Sequence, residues 1–141
     1  HASSTKLTSY AWAGGSKHLA LGPGPRTLWA SSNNNQNTIA LVTLEGTEAK
    51  LIVRHALKPD EVLLHLAGSG EHAAAVIAHT SEPAPPEFAL VVYTAKGEQW
   101  RVPLGGPRQT FYAAVSATRV VVRSNPPYLL RAWDLATGKP A

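Results

Sequence analysis

Apolar and polar positions alternate in short runs along most of the chain, and the clearest run lies past its middle. From Phe88 to Gly106 the sequence reads FALVVYTAKGEQWRVPLGG: an apolar stretch, a turn at Lys96-Gly97, and a second stretch opened by Trp100. β-Branched and aromatic residues on both sides of a glycine turn are the pattern of a β-hairpin, and similar patterns recur upstream and downstream. The chain therefore predicts a row of similar antiparallel sheets.

Upstream, Leu7–Ala13 (LTSYAWA) alternates closely enough for a strand, which Gly14-Gly15-Ser16 ends. Lys17–Leu21 is a short strand stopped by Gly22-Pro23-Gly24-Pro25, because proline supplies no donor to a ladder. Thr27–Ser31 follows, then the amide-rich loop Asn33–Asn37, whose asparagines tolerate left-handed backbone. Thr38–Leu44, the Glu45-Gly46-Thr47 turn and Ala49–Ala56 make the first copy of the hairpin. Lys58-Pro59-Asp60 leads to Val62–Ala67, a turn at Gly68-Ser69-Gly70, and His72–His79 (HAAAVIAH), a strand whose alanines would also suit a helix. Ser81–Glu87 holds three prolines in seven residues and reads as a stiff, exposed loop. After the central hairpin come Thr110–Val115, Arg119–Arg123, a turn at Asn125-Pro126-Pro127, and Leu129–Leu135.

The turn glycines Gly46, Gly97 and Gly138 align at separations of 51 and 41 residues. Their mean, about 46, is close to the period of four-stranded propeller blades. The chain, read as a single all-β domain over 1–141, thus divides into about three four-stranded antiparallel blades at 17–57, 61–106 and 110–141, with 7–13 as an extra strand. Such a unit cannot cover both faces of its sheet alone and must stack on neighbours. The expectation is a partial propeller, completed by oligomerisation or by another segment or chain, with Leu7–Ala13 closing the partner's last blade. A β-sandwich or barrel is the alternative that the same short strands could build.

Composition agrees with many short strands: 44% of residues are apolar and only 16% charged, while glycine and proline number 11 each. The absence of cysteine removes disulfides, thiolate metal sites and cysteine nucleophiles. With no methionine and a start at His1-Ala2-Ser3-Ser4, the sequence reads as a processed or excised chain. No stretch reaches the roughly 18 apolar residues of a membrane helix and no leader pattern opens the chain, so a soluble protein is expected, its compartment unassigned. The net charge of +4 comes from lysines and arginines scattered singly, which reads as a basic solvated surface.

Candidate chemistry is sparse. His65, His72 and His79 are evenly spaced, but Gly68-Ser69-Gly70 interrupts any helix that would align them, so no metal site is expected. Ser69 stands between glycines at the wrong spacing for a nucleophile elbow. Asp60, Glu61, Glu71, Glu82, Glu87 and Asp134 read as turn acids rather than a catalytic pair, and no glycine-rich phosphate loop precedes a helix. No catalysis and no cofactor is expected. Trp100 and Trp133 read as packing between sheets, whereas Trp12 and Trp29 are interaction candidates if exposed.

One segment carries a family resemblance. Leu130–Lys139 (LRAWDLATGK) resembles the end of a WD-repeat blade through Trp133-Asp134, and equally the Ala-x-Asp-x-x-Thr-Gly core of quinoprotein-like (PQQ-like) repeats. Gly97-Glu98-Gln99-Trp100 is similar to the Gly-x-x-Trp continuation of that second pattern. Thr94 stands where the pattern has Asp, the first hairpin lacks both Asp and Trp, and no Gly-His pair opens a unit. The resemblance implies a propeller-like fold and, by itself, no activity.

The expected function is a non-catalytic protein–protein interaction or scaffolding module, whose partner is another protein or a further copy of the chain. Its contacts would come from the Gly22–Arg26, Asn33–Asn37 and Ser81–Glu87 loops and from Arg26, Arg54, Arg101, Arg108, Arg123 and Arg131. The alternative, a nucleic-acid-binding module, needs those arginines on one face with an aromatic beside them. A quinoprotein-type enzyme would need cofactor-binding residues that the sequence does not offer.

Overall fold

A computed structural model describes residues 19–32, 38–46, 48–81, 84–105 and 109–141, and every regular element among them is a strand. Sheet 1 holds β1 (Leu19–Leu21), β2 (Thr27–Ser32), β3 (Thr38–Glu45) and β4 (Glu48–Ala56). Sheet 2 holds β5 (Glu61–Ser69), β6 (His72–His79), β7 (Glu87–Thr94) and β8 (Gly97–Gly105). Sheet 3 holds β9 (Thr110–Val115), β10 (Arg119–Asn125) and β11 (Leu129–Asp134). Each strand pairs antiparallel with its neighbour in sequence, so all three are up-and-down meanders, and none closes into a barrel. The expected Leu7–Ala13 strand lies outside the described residues. No helix among those described is long and apolar enough to cross a membrane.

The sheets stack in sequence order with sheet 2 in the middle. Along β6 the side chains alternate between two cores: Ala73, Ala75 and Ile77 pack with Trp29, Ile39 and Leu41 of sheet 1, while Ala74 and Val76 pack with Val120, Val122 and Trp133 of sheet 3. β7 does the same, with Val91 and Tyr93 on one side and Leu90 and Val92 on the other. This decides the helix-or-strand ambiguity of HAAAVIAH: a central strand covered on both faces reads as an unbroken run of small apolar residues. On the far face of sheet 1, Leu28, Ala30, Ala40 and Val42 form a third cluster.

The sheets come nearest to one another at their first strands, where β5 lies against both β1 and β9. Gly68 explains how. The sequence places it in a turn, but it is paired within β5 opposite Ala73, and the turn is at Gly70-Glu71. A Cβ on Gly68 would sit 2.8 Å from the Ala20 Cβ and 3.4 Å from the Trp29 ring, so the residue is glycine because β1 passes close by.

Polar side chains tie the layers together. The indole of Trp29 donates to Gly70 O (3.0 Å) and that of Trp100 to Leu135 O (2.9 Å). His55 Nε2 donates to Thr94 O (2.9 Å) while its ring stacks on Tyr93, and His65 Nε2 donates to Ala113 O (3.1 Å). Each of these bonds satisfies a group that packing would otherwise strand away from water.

Gly46, Gly97 and Gly138 occupy the same topological place, just after the third strand of each sheet, with φ of 59°, 125° and 77°. Gly105, placed by sequence in a plain connection, is also at positive φ (144°), so glycine is required on both sides of β8. Beyond Gly138 the chain turns back beside β11: Asp134 N donates to Lys139 O (2.8 Å) and Ala141 N to Ala132 O (3.0 Å).

Candidate interaction surfaces

Sheet 3 has one covered and one open face, and the strand alternation sets which residues fall on each. Phe111, Ala113, Val120, Val122 and Trp133 point toward sheet 2. The other set forms cross-strand rows, Tyr112–Arg123–Leu130 and Ala114–Val121–Ala132, on the opposite face. Tyr112 is 51% and Leu130 58% exposed, large values for apolar side chains in the body of a sheet. The Arg123 guanidinium lies 4.7 Å from the centre of the Tyr112 ring, a cation–π pair between strand neighbours. Arg119 is exposed on the same face, and Tyr128 continues the apolar surface at the β10–β11 turn.

The predicted site residues do not assemble on this face. Trp29, an interaction candidate on the sequence, is fully buried: β2 turns it toward sheet 2, and the Gly70 carbonyl satisfies its indole NH so that burial carries no polar penalty. Arg101 is bound rather than free. Its Nε and Nη2 donate to Glu98 (3.0 and 2.8 Å) and its Nη1 to Glu61 (2.9 Å), whose second oxygen accepts from Lys58 N (3.1 Å). The guanidinium thus pins the link between sheets 1 and 2. Its hydrogen bonds hold the Glu98 carboxyl below the usual range, and Glu98 first and Glu61 next hold the Arg101 pKa up.

Arg131 is likewise structural, with Nη2 donating to Leu104 O across the boundary of sheets 2 and 3 (2.8 Å) and the guanidinium 5.6 Å from the Trp133 ring centre. Arg26 is exposed in the turn before β2, and Arg54 is exposed on β4, away from sheet 3. Trp12, Arg108 and the Asn33–Asn37 loop lie outside the described residues, as does part of Ser81–Glu87. Of the predicted arginines, Arg123 alone among those described stands on the open face. Tyr112, Leu130 and Arg119 were not singled out from sequence, although the alternation in TFYAAV and RVVVR carries the signal.

Among the described residues no group of three His, Cys, Asp or Glu side chains could hold a metal. His79 pairs with Asp60 (3.2 Å), and His65 is taken up by the Ala113 carbonyl. Neither a protein-family model nor a curated protein matches the chain.

Proposed function

We propose that the three sheets are consecutive blades of a propeller-type assembly, and that the chain serves as a non-catalytic interaction or scaffolding module. The supporting observation is the contrast between a middle sheet whose β6 and β7 are packed on both faces and a third sheet whose outer face leaves Tyr112 and Leu130 largely exposed. The meander within each sheet, the approach at β1, β5 and β9, and the equivalent Gly46, Gly97 and Gly138 turns favour the same reading. Another sheet, from a further copy or from another protein, would cover the open face as sheet 3 covers sheet 2. Size-exclusion chromatography with light scattering on the 141-residue chain tests this: self-association, or strong binding of a dye for exposed apolar surface, is expected. A stable 15.0 kDa monomer that binds little dye would falsify it.

A second reading has one specific observation in its favour. Arg123 stacked on Tyr112, with Arg119 nearby, is the combination of cation and aromatic that single-stranded nucleic acid uses. Affinity for an oligonucleotide that falls steeply with salt, and with Tyr112→Ala, would bring that reading forward.

A further inference from the structure

Charge is divided unevenly among the sheets. Residues 109–141, which build sheet 3, carry four cations, Arg119, Arg123, Arg131 and Lys139, against one acid, Asp134. The described residues from 19 to 105 carry six cations against seven acids. Sheet 3 is therefore the basic end of a body that is otherwise close to neutral. On its open face Asp134 stands opposite Arg119 in register and tempers it. Arg123 is different: its row is Tyr112–Arg123–Leu130, without an acid, and it forms no ion pair among the described residues. The next row, Ala114–Val121–Ala132, is small and apolar, so the charge stands on a low apolar surface.

These features discriminate among possible covers. A second copy is a poor one. The outer row of its sheet 1, Leu19–Ala30–Ala40–Arg54, ends in another arginine, and its own sheet 3 would set Arg119 and Arg123 against their like. Stacked bases also fit less well than protein, because the Tyr112 ring is already engaged by the Arg123 guanidinium at 4.7 Å and by the His65 ring of β5, edge to face at 5.7 Å. Three strands of about six residues give a face roughly 10 Å wide and 20 Å long. That is small beside the roughly 800 Å² that each partner buries in a standard protein–protein interface, so complementary charge should contribute more than area.

We propose that the outer face of sheet 3 is covered by an acidic surface of a different protein, with carboxylates around Arg123 and Arg119 and apolar side chains on Tyr112, Val121 and Leu130. The inference rests on the interaction-module reading and supplies the chemistry of its partner.

An amide-resolved NMR titration of the whole chain tests it. The probe is a peptide of about twelve residues repeating Glu-Glu-Leu, long enough to cross the face when extended. Two further probes are the same peptide with lysine for glutamate, and oligothymidine. Saturable shifts at Tyr112, Arg123 and Leu130 are expected with the glutamate peptide, and their loss in about 1 M salt, where the screening length falls to about 3 Å. Arg123→Glu should weaken binding by about fivefold or more, with the core amides of Ile77 and Leu90 reporting that the fold is retained. Arg54→Glu, the same change of charge on sheet 1, should leave binding nearly unchanged. Equal shifts with the lysine peptide, equal weakening by the two variants, or no shift on sheet 3 would overturn the proposal. Oligothymidine that saturates the same amides at least as tightly as the peptide would overturn it in favour of nucleic acid. A light-scattering mass above 15.0 kDa that Leu130→Asp returns to monomer would put a second copy in the acidic partner's place but keep the module reading. A monomer that binds little dye and shifts with no probe would count against both.

Discussion

Sheets 2 and 3 are both up-and-down meanders, of four and three strands, in different surroundings. In β6 the six positions from Ala73 to Ala78 are all buried, whereas in β9 and β10 buried and exposed positions mostly alternate. An unbroken apolar run marks a strand covered on both faces, and alternation marks one covered on a single face. In β6, β9 and β10 the number of covering layers is therefore written in the hydrophobic period. Sheet 3 has the sequence of a sheet with one open side.

The largest effect that could break this comparison comes from truncating one leucine in each sheet. Leu90 is fully buried in the core between sheets 2 and 3, so Leu90→Ala should cost about 2–5 kcal/mol. Leu130→Ala, on the open face, should stay within about 0.5 kcal/mol. Urea unfolding of the two variants measures both, and similar losses would mean that the third sheet is covered after all.

A smaller contrast separates two glycines at the same turn position. Gly138 and Gly46 both have positive φ, so alanine at either costs about 1–2 kcal/mol from backbone strain. At Gly46 the new Cβ meets nothing within 4 Å, while at Gly138 it would sit 2.6 Å from the Trp100 ring. Gly138→Ala should therefore lose about 1 kcal/mol or more beyond Gly46→Ala, and should disturb the Trp100 indole resonance. Equal melting temperatures would show that Trp100 does not hold the turn after β11.

The smallest effect is on the other side of sheet 2. Hydrogen bonding to Arg101 depresses the Glu98 carboxyl in the folded state. The stability it adds is present above the ordinary glutamate value of about 4.3 and is lost as the pH falls through the lower folded value. Glu98 is exposed, so the effect is modest. Glu98→Gln, which leaves the Arg101–Glu61 pair in place, should reduce the drop in melting temperature on acidification, and an unchanged pH profile would show that the Glu98–Arg101 pair does not act in solution.

Much of the strand order was legible. Thr110–Val115 and His72–His79 have the bounds that their β-branched and alanine runs predict, and the third-strand turns fall at Gly46, Gly97 and Gly138 as aligned. Local pattern suffices there, because a strand's period and a turn's need for positive φ act over a few residues.

Only the tertiary structure decided what the singular residues do. Gly68 reads as a turn until β1 is beside it. Trp29 reads as a contact until the Gly70 carbonyl, 41 positions away, takes its NH. Arg101 and Arg131 read as free cations until Glu61 and the Leu104 carbonyl, 40 and 27 positions away, engage them. The sequence by itself determined which stretches are strands and how many of their faces want cover, since hydrophobic period is a local quantity. Which arginine is spent on structure and which remains exposed depends on partners that only the stacking of sheets brings within hydrogen-bond reach.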